Sequence, residues 1–340
     1  MRINRIDSFR TAAILAVICI HTKPFLVPDS SSLPYKLSGI LINQGGRFAV
    51  PFFLIISGYL FGCKLTQGVD PFELGKRYSS KILPIFFFWD LVYLLSPALT
   101  DNVLKYGVLR PIYWNARNLI RNPLDLVFQG TKIHLWFMVS LLMALWALAF
   151  MVHLNVRLRN VFAFSAALYC LGLLGGSYAT TPIGINLHFN TRDFIFLSML
   201  CITIGWALSQ HEVKYLYRLA VMLICVGLAV HMTEAYFLWK YWQVNPTKHD
   251  YLIGTIFFAT GVALLSLRNT KNDKETIFSR SGRYTLGIYG GHYVFVDMLE
   301  PVGHYMPIDL WQIVFPVLVY ALSLTAAIAL SRTRFRKFVA

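Results

Sequence analysis

Arg10 and His21 stand eleven residues apart, near the two ends of an otherwise apolar stretch. On an α-helix that spacing comes to within about 20° of three full turns, with a rise of about 16 Å. The two side chains therefore share one helix face. Ionisable groups in such a run are expensive in a bilayer, so each asks for a reason. Arg10 suits a helix mouth and His21 a position deep in the run. Burial favours the neutral imidazole, the form that a general base needs. A second reading stays open from the spacing alone: Arg10 anchors a helix end and His21 bonds a neighbouring helix.

Other polar groups interrupt apolar runs in the same way. Arg47 opens the run Phe48 to Tyr59, where Pro51 and the Ser57-Gly58 pair suggest a bent helix with free backbone groups. His134-Leu135-Trp136-Phe137 opens another; Trp136 suits an interfacial aromatic belt and His134 a ligand contact. His292 lies mid-run after Gly290-Gly291, and Asp90, His231, Glu234, Asp297 and Glu300 complete the set. Between about 100 and 133, Lys105, Arg110, Arg117 and Arg121 sit among Tyr106, Ile112, Tyr113, Trp114 and Leu119. That mixture suits a helix lying at a membrane interface, or a basic wall facing an anionic ligand.

The elements that must position these groups follow from composition. The 340 residues are 56% apolar and 14% charged, with mean hydropathy +0.56, whereas soluble chains are about 25% charged. Apolar runs of about 20 residues recur along the whole length, the transmembrane pattern. The expected fold is all-α: one polytopic membrane domain over 1–340, a bundle of about ten transmembrane helices. The spans are placed near 9–28, 47–63, 82–99, 134–153, 161–178, 192–209, 217–239, 251–267, 285–303 and 310–330. With the N-terminus inside, most Lys and Arg fall on the cytoplasmic side, Arg2, Lys214 and Lys271 among them. The positive-inside rule then predicts that both termini are cytoplasmic. The basic start resembles a signal peptide, but no small-residue cleavage site follows and His21 and Lys23 interrupt the run. A retained first helix is expected.

Several classes are excluded. The net charge of +15 does not mark a nucleic-acid partner, because no basic face alternates with exposed aromatics on a soluble fold. There is no His-Glu-x-x-His, Walker-type loop or Gly-x-Ser-x-Gly, which removes zinc proteases, ATP-driven pumps and elbow-type hydrolases. Five unclustered cysteines offer neither metal spacing nor a disulfide framework, and no metal is expected. The Gly58/Gly62 and Gly172/Gly176 spacings point to close helix contacts.

Four blocks carry a resemblance. Arg5 to Arg10 is followed by His21 after ten intervening residues; Val50 to Tyr59, His134 to Phe137 and Gly287 to His292 follow in order. With these blocks the chain resembles the acyltransferase 3 family, membrane O-acyltransferases that modify surface polysaccharides and other acceptors. The family often has Arg-x-x-Arg before a proline at its third helix. Here, in Arg77 to Pro84, Lys81 fits the second basic position, but Tyr78 holds the first and Arg77 is shifted by one. Lysine binds phosphate as a point charge rather than as a fork.

The resemblance implies transfer of an acetyl or small acyl group from acetyl-CoA to a hydroxyl of a cell-surface glycan or its lipid-linked precursor. It also implies a bacterial inner membrane. His21 and Arg10 are then the catalytic pair, with His21 as general base. Arg10, Arg77 and Lys81 hold the CoA phosphates, while Arg47, His134, Trp136 and His292 meet the acceptor. Acyl-CoA, the glycan or lipid-linked sugar and membrane lipid are the expected partners. The competing class is a secondary transporter or flippase for an anionic or lipid-linked sugar. That class often shows internal repeats, and none links 1–170 with 171–340.

Overall fold

The computed structural model describes residues 3–26, 33–96, 105–212, 216–268 and 274–339. Among the described residues there is no β-strand. In chain order the helices are α1 (Asn4–Thr22), α2 (Leu33–Gly45), α3 (Ala49–Leu65), α4 (Pro71–Leu95), α5 (Leu109–Arg121), α6 (Pro123–Phe128) and α7 (Trp136–His153). They continue with α8 (Leu158–Leu174), α9 (Ile195–Ser209), α10 (Tyr217–Trp242), α11 (Ile253–Leu267), α12 (Ile277–Gly282), α13 (Thr285–Leu299) and α14 (Ile308–Ser331). Two compact units result. One contains Met1–Asn43, Lys81–Met138 and Glu275–Ala340; the other contains Gln44–Ser80 and Val139–Lys274.

Five helical segments are long and apolar enough to cross a membrane: Pro34–Leu65, Pro71–Leu95, Ile133–His153, Tyr217–Trp242 and Ile308–Ser331. Three further apolar helices, α8, α9 and α11, are shorter. α1 carries Arg5, Asp7 and Arg10 in its first two turns, which lowers its apolar character. It begins at Asn4, before the expected residue 9, and stops at Thr22. There Lys23 turns left-handed (φ 50°, ψ 49°) and donates its N–H to Cys19 O at 3.0 Å. Pro24, with no N–H to donate, does not continue a helix. Residues 27–28 and 97–99 of the expected spans, and Arg2, Lys214 and Lys271, lie outside the described residues.

Two features depart from the sequence expectation. α2 occupies a stretch between the expected spans 9–28 and 47–63, and it runs through a 3-10 turn at Gly46–Phe48 into α3. Gly39 is there for close approach: a Cβ at this position would lie 2.8 Å from the Phe25 carbonyl. α4 starts at Pro71, well before the expected residue 82, because Glu73, Lys76 and Arg77 mask its first turns in hydropathy.

In the first unit, α4 and α13 meet closely. Gly290 and Gly291 lie under Trp89, and a Cβ on Gly291 would come 2.7 Å from the indole. Trp89 Nε1 donates to Phe338 O at 3.3 Å, and Phe88 stacks on Phe338 at 4.4 Å. Thr11 Oγ1 donates to Phe278 O at 2.7 Å, which ties α1 to α12. In the second unit, Gly58 and Gly62 on α3 face Ile202 and Ser209 on α9 with no room for a Cβ, the small-residue contact expected of that spacing.

Candidate functional site

Three imidazoles from three separate elements of the first unit converge. His21 lies in the last turn of α1, His134 in a 3-10 turn (Ile133–Leu135) before α7, and His292 on α13. Ring centroids are 5.3 Å apart for His21 and His292, 4.9 Å for His134 and His292, and 6.4 Å for His21 and His134. His134 and His292 are buried, while His21 is half-buried. Tyr293 completes the group: its ring stacks on His134 at 4.8 Å, and its Oη lies 3.0 Å from His21 Nδ1.

Backbone carbonyls set two of the ring tautomers. His134 Nε2 is 3.3 Å from Gly290 O, and His292 Nδ1 is 2.7 Å from Tyr289 O. A carbonyl only accepts, so each of these nitrogens carries the proton. The other nitrogen of each ring is then a bare acceptor, and neither His134 Nδ1 nor His292 Nε2 has a hydrogen-bond partner in the protein. Buried acceptors without a partner favour a donor, and a hydroxyl is a donor.

The surrounding contacts fix these rings. Tyr93 donates its hydroxyl to Gly290 O at 2.6 Å, and Tyr289 donates its own to His134 O. Asp90 Oδ1 accepts the Thr131 N–H at 2.5 Å and the Thr131 hydroxyl at 2.7 Å, which holds the segment leading to His134. Gly130, at φ 65°, lets the chain turn just before it. Lys132 Nζ pairs with Asp297 Oδ2 at 2.5 Å and lies 5.2 Å from the Tyr293 ring centroid.

The remaining sequence candidates fall elsewhere. Arg10 is on α1, about 16 Å of helical rise from His21, and pairs with Asp7 at 3.1 Å. Arg77 and Lys81 are exposed on α4, with Arg77 Nε 3.1 Å from Glu73. Trp136 is buried in the first turn of α7 and meets Phe137 at 6.4 Å. Arg47 belongs to the second unit. Its guanidinium bonds Asp250 at 3.1 Å and Thr247 O at 2.7 Å. Arg192 holds the same Asp250 by two bonds of 2.8 Å and reaches Asp193 at 3.2 Å.

Around that ion cluster the second unit buries two more histidines. His231 bonds Thr255 Oγ1 at 2.9 Å and Gln44 Oε1 at 3.0 Å. His249 lies in the loop before α11, and burial, then the nearby Arg47 charge, pushes its pKa down to about 4. Glu234 accepts from the Tyr178 hydroxyl at 2.6 Å and from the N–H groups of Ile253 and Gly254 at the start of α11. That carboxylate caps a helix N-terminus, where negative charge is favoured.

Tyr293, Tyr93 and Lys132 escaped the sequence reading. Tyr93 and Tyr293 are common aromatic residues in apolar helices, and their polar ends gain meaning only once α4 and α13 are brought together. A signal existed for Lys132, a lone cation two residues ahead of His134. Among the described residues no group of three His, Cys, Asp or Glu is arranged to hold a metal ion.

Long apolar helices, with no strand among the described residues, mark an integral membrane protein. The chain belongs to the acyltransferase 3 family, whose model, an acyltransferase domain, matches residues 3–332. Among curated proteins it is similar to an amino-acid racemase of Enterococcus faecalis, 27% identical over 322 residues, which are 90% of this chain and 43% of that protein. It is also similar to a serine/alanine racemase of Enterococcus gallinarum, 26% identical over 266 residues, 74% of this chain and 35% of that protein. The chain thus spans less than half the length of the curated relatives it matches. No solved structure matches it.

Proposed function

We propose that this membrane acyltransferase moves an acetyl or other small acyl group from acyl-CoA to a hydroxyl of a cell-surface glycan or its lipid-linked precursor. The observation that carries the reading is the cluster of His21, His134 and His292, with two ring nitrogens held as bare acceptors. In this reading the protein sits in a bacterial inner membrane with about ten spans and both ends cytoplasmic. Arg10, Arg77 and Lys81 hold the CoA phosphates at the inner mouth. The pantetheine arm follows the roughly 16 Å between Arg10 and His21.

His21 is the general base. In the tautomer with the proton on Nδ1, which lies 3.0 Å from Tyr293 Oη, Nε2 carries the lone pair and takes the proton of the acceptor hydroxyl. The hydroxyl oxygen attacks the thioester carbonyl carbon, forming the new C–O bond. The tetrahedral intermediate then collapses, the C–S bond breaks, and the CoA sulfur leaves and takes the proton from His21. His134 and His292 accept from the acceptor's hydroxyls and orient it, and Trp136 is a further acceptor contact.

The test is transfer from isotope-labelled acetyl-CoA in membranes bearing the wild-type chain or His21→Ala. Base-labile label should accumulate in glycan or lipid-linked sugar with the wild type. The variant should lose about 10²- to 10⁴-fold of that rate, the usual worth of a general base. Wild-type transfer by a well-inserted His21→Ala protein would remove the base assignment.

A further inference from the structure

The segment between α4 and the histidine turn plays no part in the chemistry above, yet its construction is specific. On α5, Leu109, Ile112, Tyr113, Ala116, Leu119 and Ile120 fall within one arc of about 120° at 100° per residue. Arg110, Arg117 and Arg121 fall together in an adjacent arc of about 40°. No residue of the apolar arc is buried: Leu109 is 81% exposed and Ile120 80% exposed, while Ile112, Ala116 and Leu119 are half-buried. Leu124 and Val127 on α6 are exposed as well.

The helix is nevertheless fastened by its third side. Pro111 is buried, and Asn115 Nδ2 donates to the carbonyls of Tyr93, Leu94 and Ser96 at 3.2, 3.4 and 3.2 Å. Tyr93 and Leu94 are in the last turn of α4, one of the membrane-crossing segments, and Ser96 is just past its end. α5 is therefore pinned at the depth where a span leaves the bilayer. Aromatic and cationic side chains cluster there too: Arg110 lies 5.3 Å from the Tyr106 ring centroid and 5.8 Å from that of Trp114. Lys105 lies 5.3 Å from Tyr106. Rings of this kind sit at headgroup level.

We propose that α5 and α6 form a docking surface for the bilayer itself, with the apolar arc sunk among acyl chains and Arg110, Arg117 and Arg121 bound to anionic phospholipid headgroups. Charge complementarity selects that partner, since Lys105 and the three arginines face only Asp125 as an acid between residues 105 and 128. An amphipathic helix with arginines beside an apolar face binds such a surface by buried area plus electrostatic attraction. Docking there would hold the segment that leads to His134 at a fixed height, independently of any transfer reaction.

The experiment uses the whole chain in nanodiscs of phosphatidylcholine alone, or with phosphatidylglycerol added, and reads amide exchange of the 109–128 peptide by mass spectrometry. Exchange should be about 10-fold slower in the anionic discs. High salt should erase most of that difference, because screening shortens to about 3 Å at 1 M. Replacing all three arginines by glutamine should make the two discs equivalent, while peptides of α7 and α13 exchange as in the wild type. Ile120→Asp should speed exchange in both discs. Equal exchange of the wild type in neutral and anionic discs would overturn the proposal. So would protection that appears in neutral discs only when a lipid-linked sugar diphosphate is added, which would assign the face to an acceptor.

Discussion

The two units each bury a polar cluster, and the clusters are built on opposite plans. In the first unit, three imidazoles and a phenol lie within about 6.4 Å of one another, and two ring nitrogens are left bare. In the second, Asp250 is gripped by Arg47 and Arg192, both nitrogens of His231 are occupied, and His249 keeps ring nitrogens without a hydrogen-bond partner. One plan gathers three imidazoles from three elements; the other is centred on a carboxylate held between two guanidinium groups. A carboxylate gripped by two guanidinium groups holds a fold, whereas bare ring nitrogens gathered beside a third imidazole can take part in a reaction. Charge alone does not separate the two cases. The second unit has the more strongly charged cluster, and the first is the one to which the transfer reaction is assigned by proposal.

That contrast breaks down if the two clusters respond alike to mutation. His21→Ala should cut transfer by about 10²- to 10⁴-fold while the melting temperature in detergent stays near the wild-type value. Asp250→Ala should do the reverse in kind. It leaves two largely buried guanidinium groups without their shared carboxylate, so unfolding measurements should show a loss of about 3 to 5 kcal/mol. If Asp250→Ala melts like the wild type, the second cluster is not structural.

Smaller changes sharpen the comparison. Tyr293→Phe keeps the ring on His134 and removes only the oxygen facing His21. Loss of one hydrogen bond of about 1 kcal/mol should lower kcat about 5- to 10-fold with KM unchanged. A raised KM with normal kcat would make Tyr293 a substrate-binding group. The pH dependence of stability probes His249. Its folded pKa is about 4 and its unfolded value about 6.5. Between those values the unfolded chain binds more protons, so stability should rise with pH from 4 to 6.5 and level off above. His249→Leu should flatten that part of the curve in pH-resolved melting, whereas a parallel shift would show that His249 is not the group titrating.

Much of this arrangement was legible beforehand, for reasons that can be named. His21, His134 and His292 stand out because imidazoles are costly in apolar runs, and each lies in a recognisable block. Their convergence was not legible, since nothing in the local pattern says that α1, the turn before α7 and α13 share one space. Arg47 was expected beside an acceptor, and the structure adds a carboxylate, Asp250, two hundred residues away in sequence. α2 was missed between the expected spans 9–28 and 47–63, and Gly39 serves a close approach that only the folded chain displays. The basic, aromatic stretch before His134 was read as an interfacial helix or a ligand wall. A helix it is, though Asn115, the residue that fastens it, carries no hydropathy signal at all.

Asn115 also has a consequence in time. It serves carbonyls that precede it by 22, 21 and 19 residues. During synthesis at about 5 to 20 residues per second, the end of α4 therefore emerges one to a few seconds before its cap. For that interval water or a lipid headgroup must serve those carbonyls. A ribosome pausing within this stretch would prolong the interval, and synonymous codons there would influence insertion without altering a single side chain.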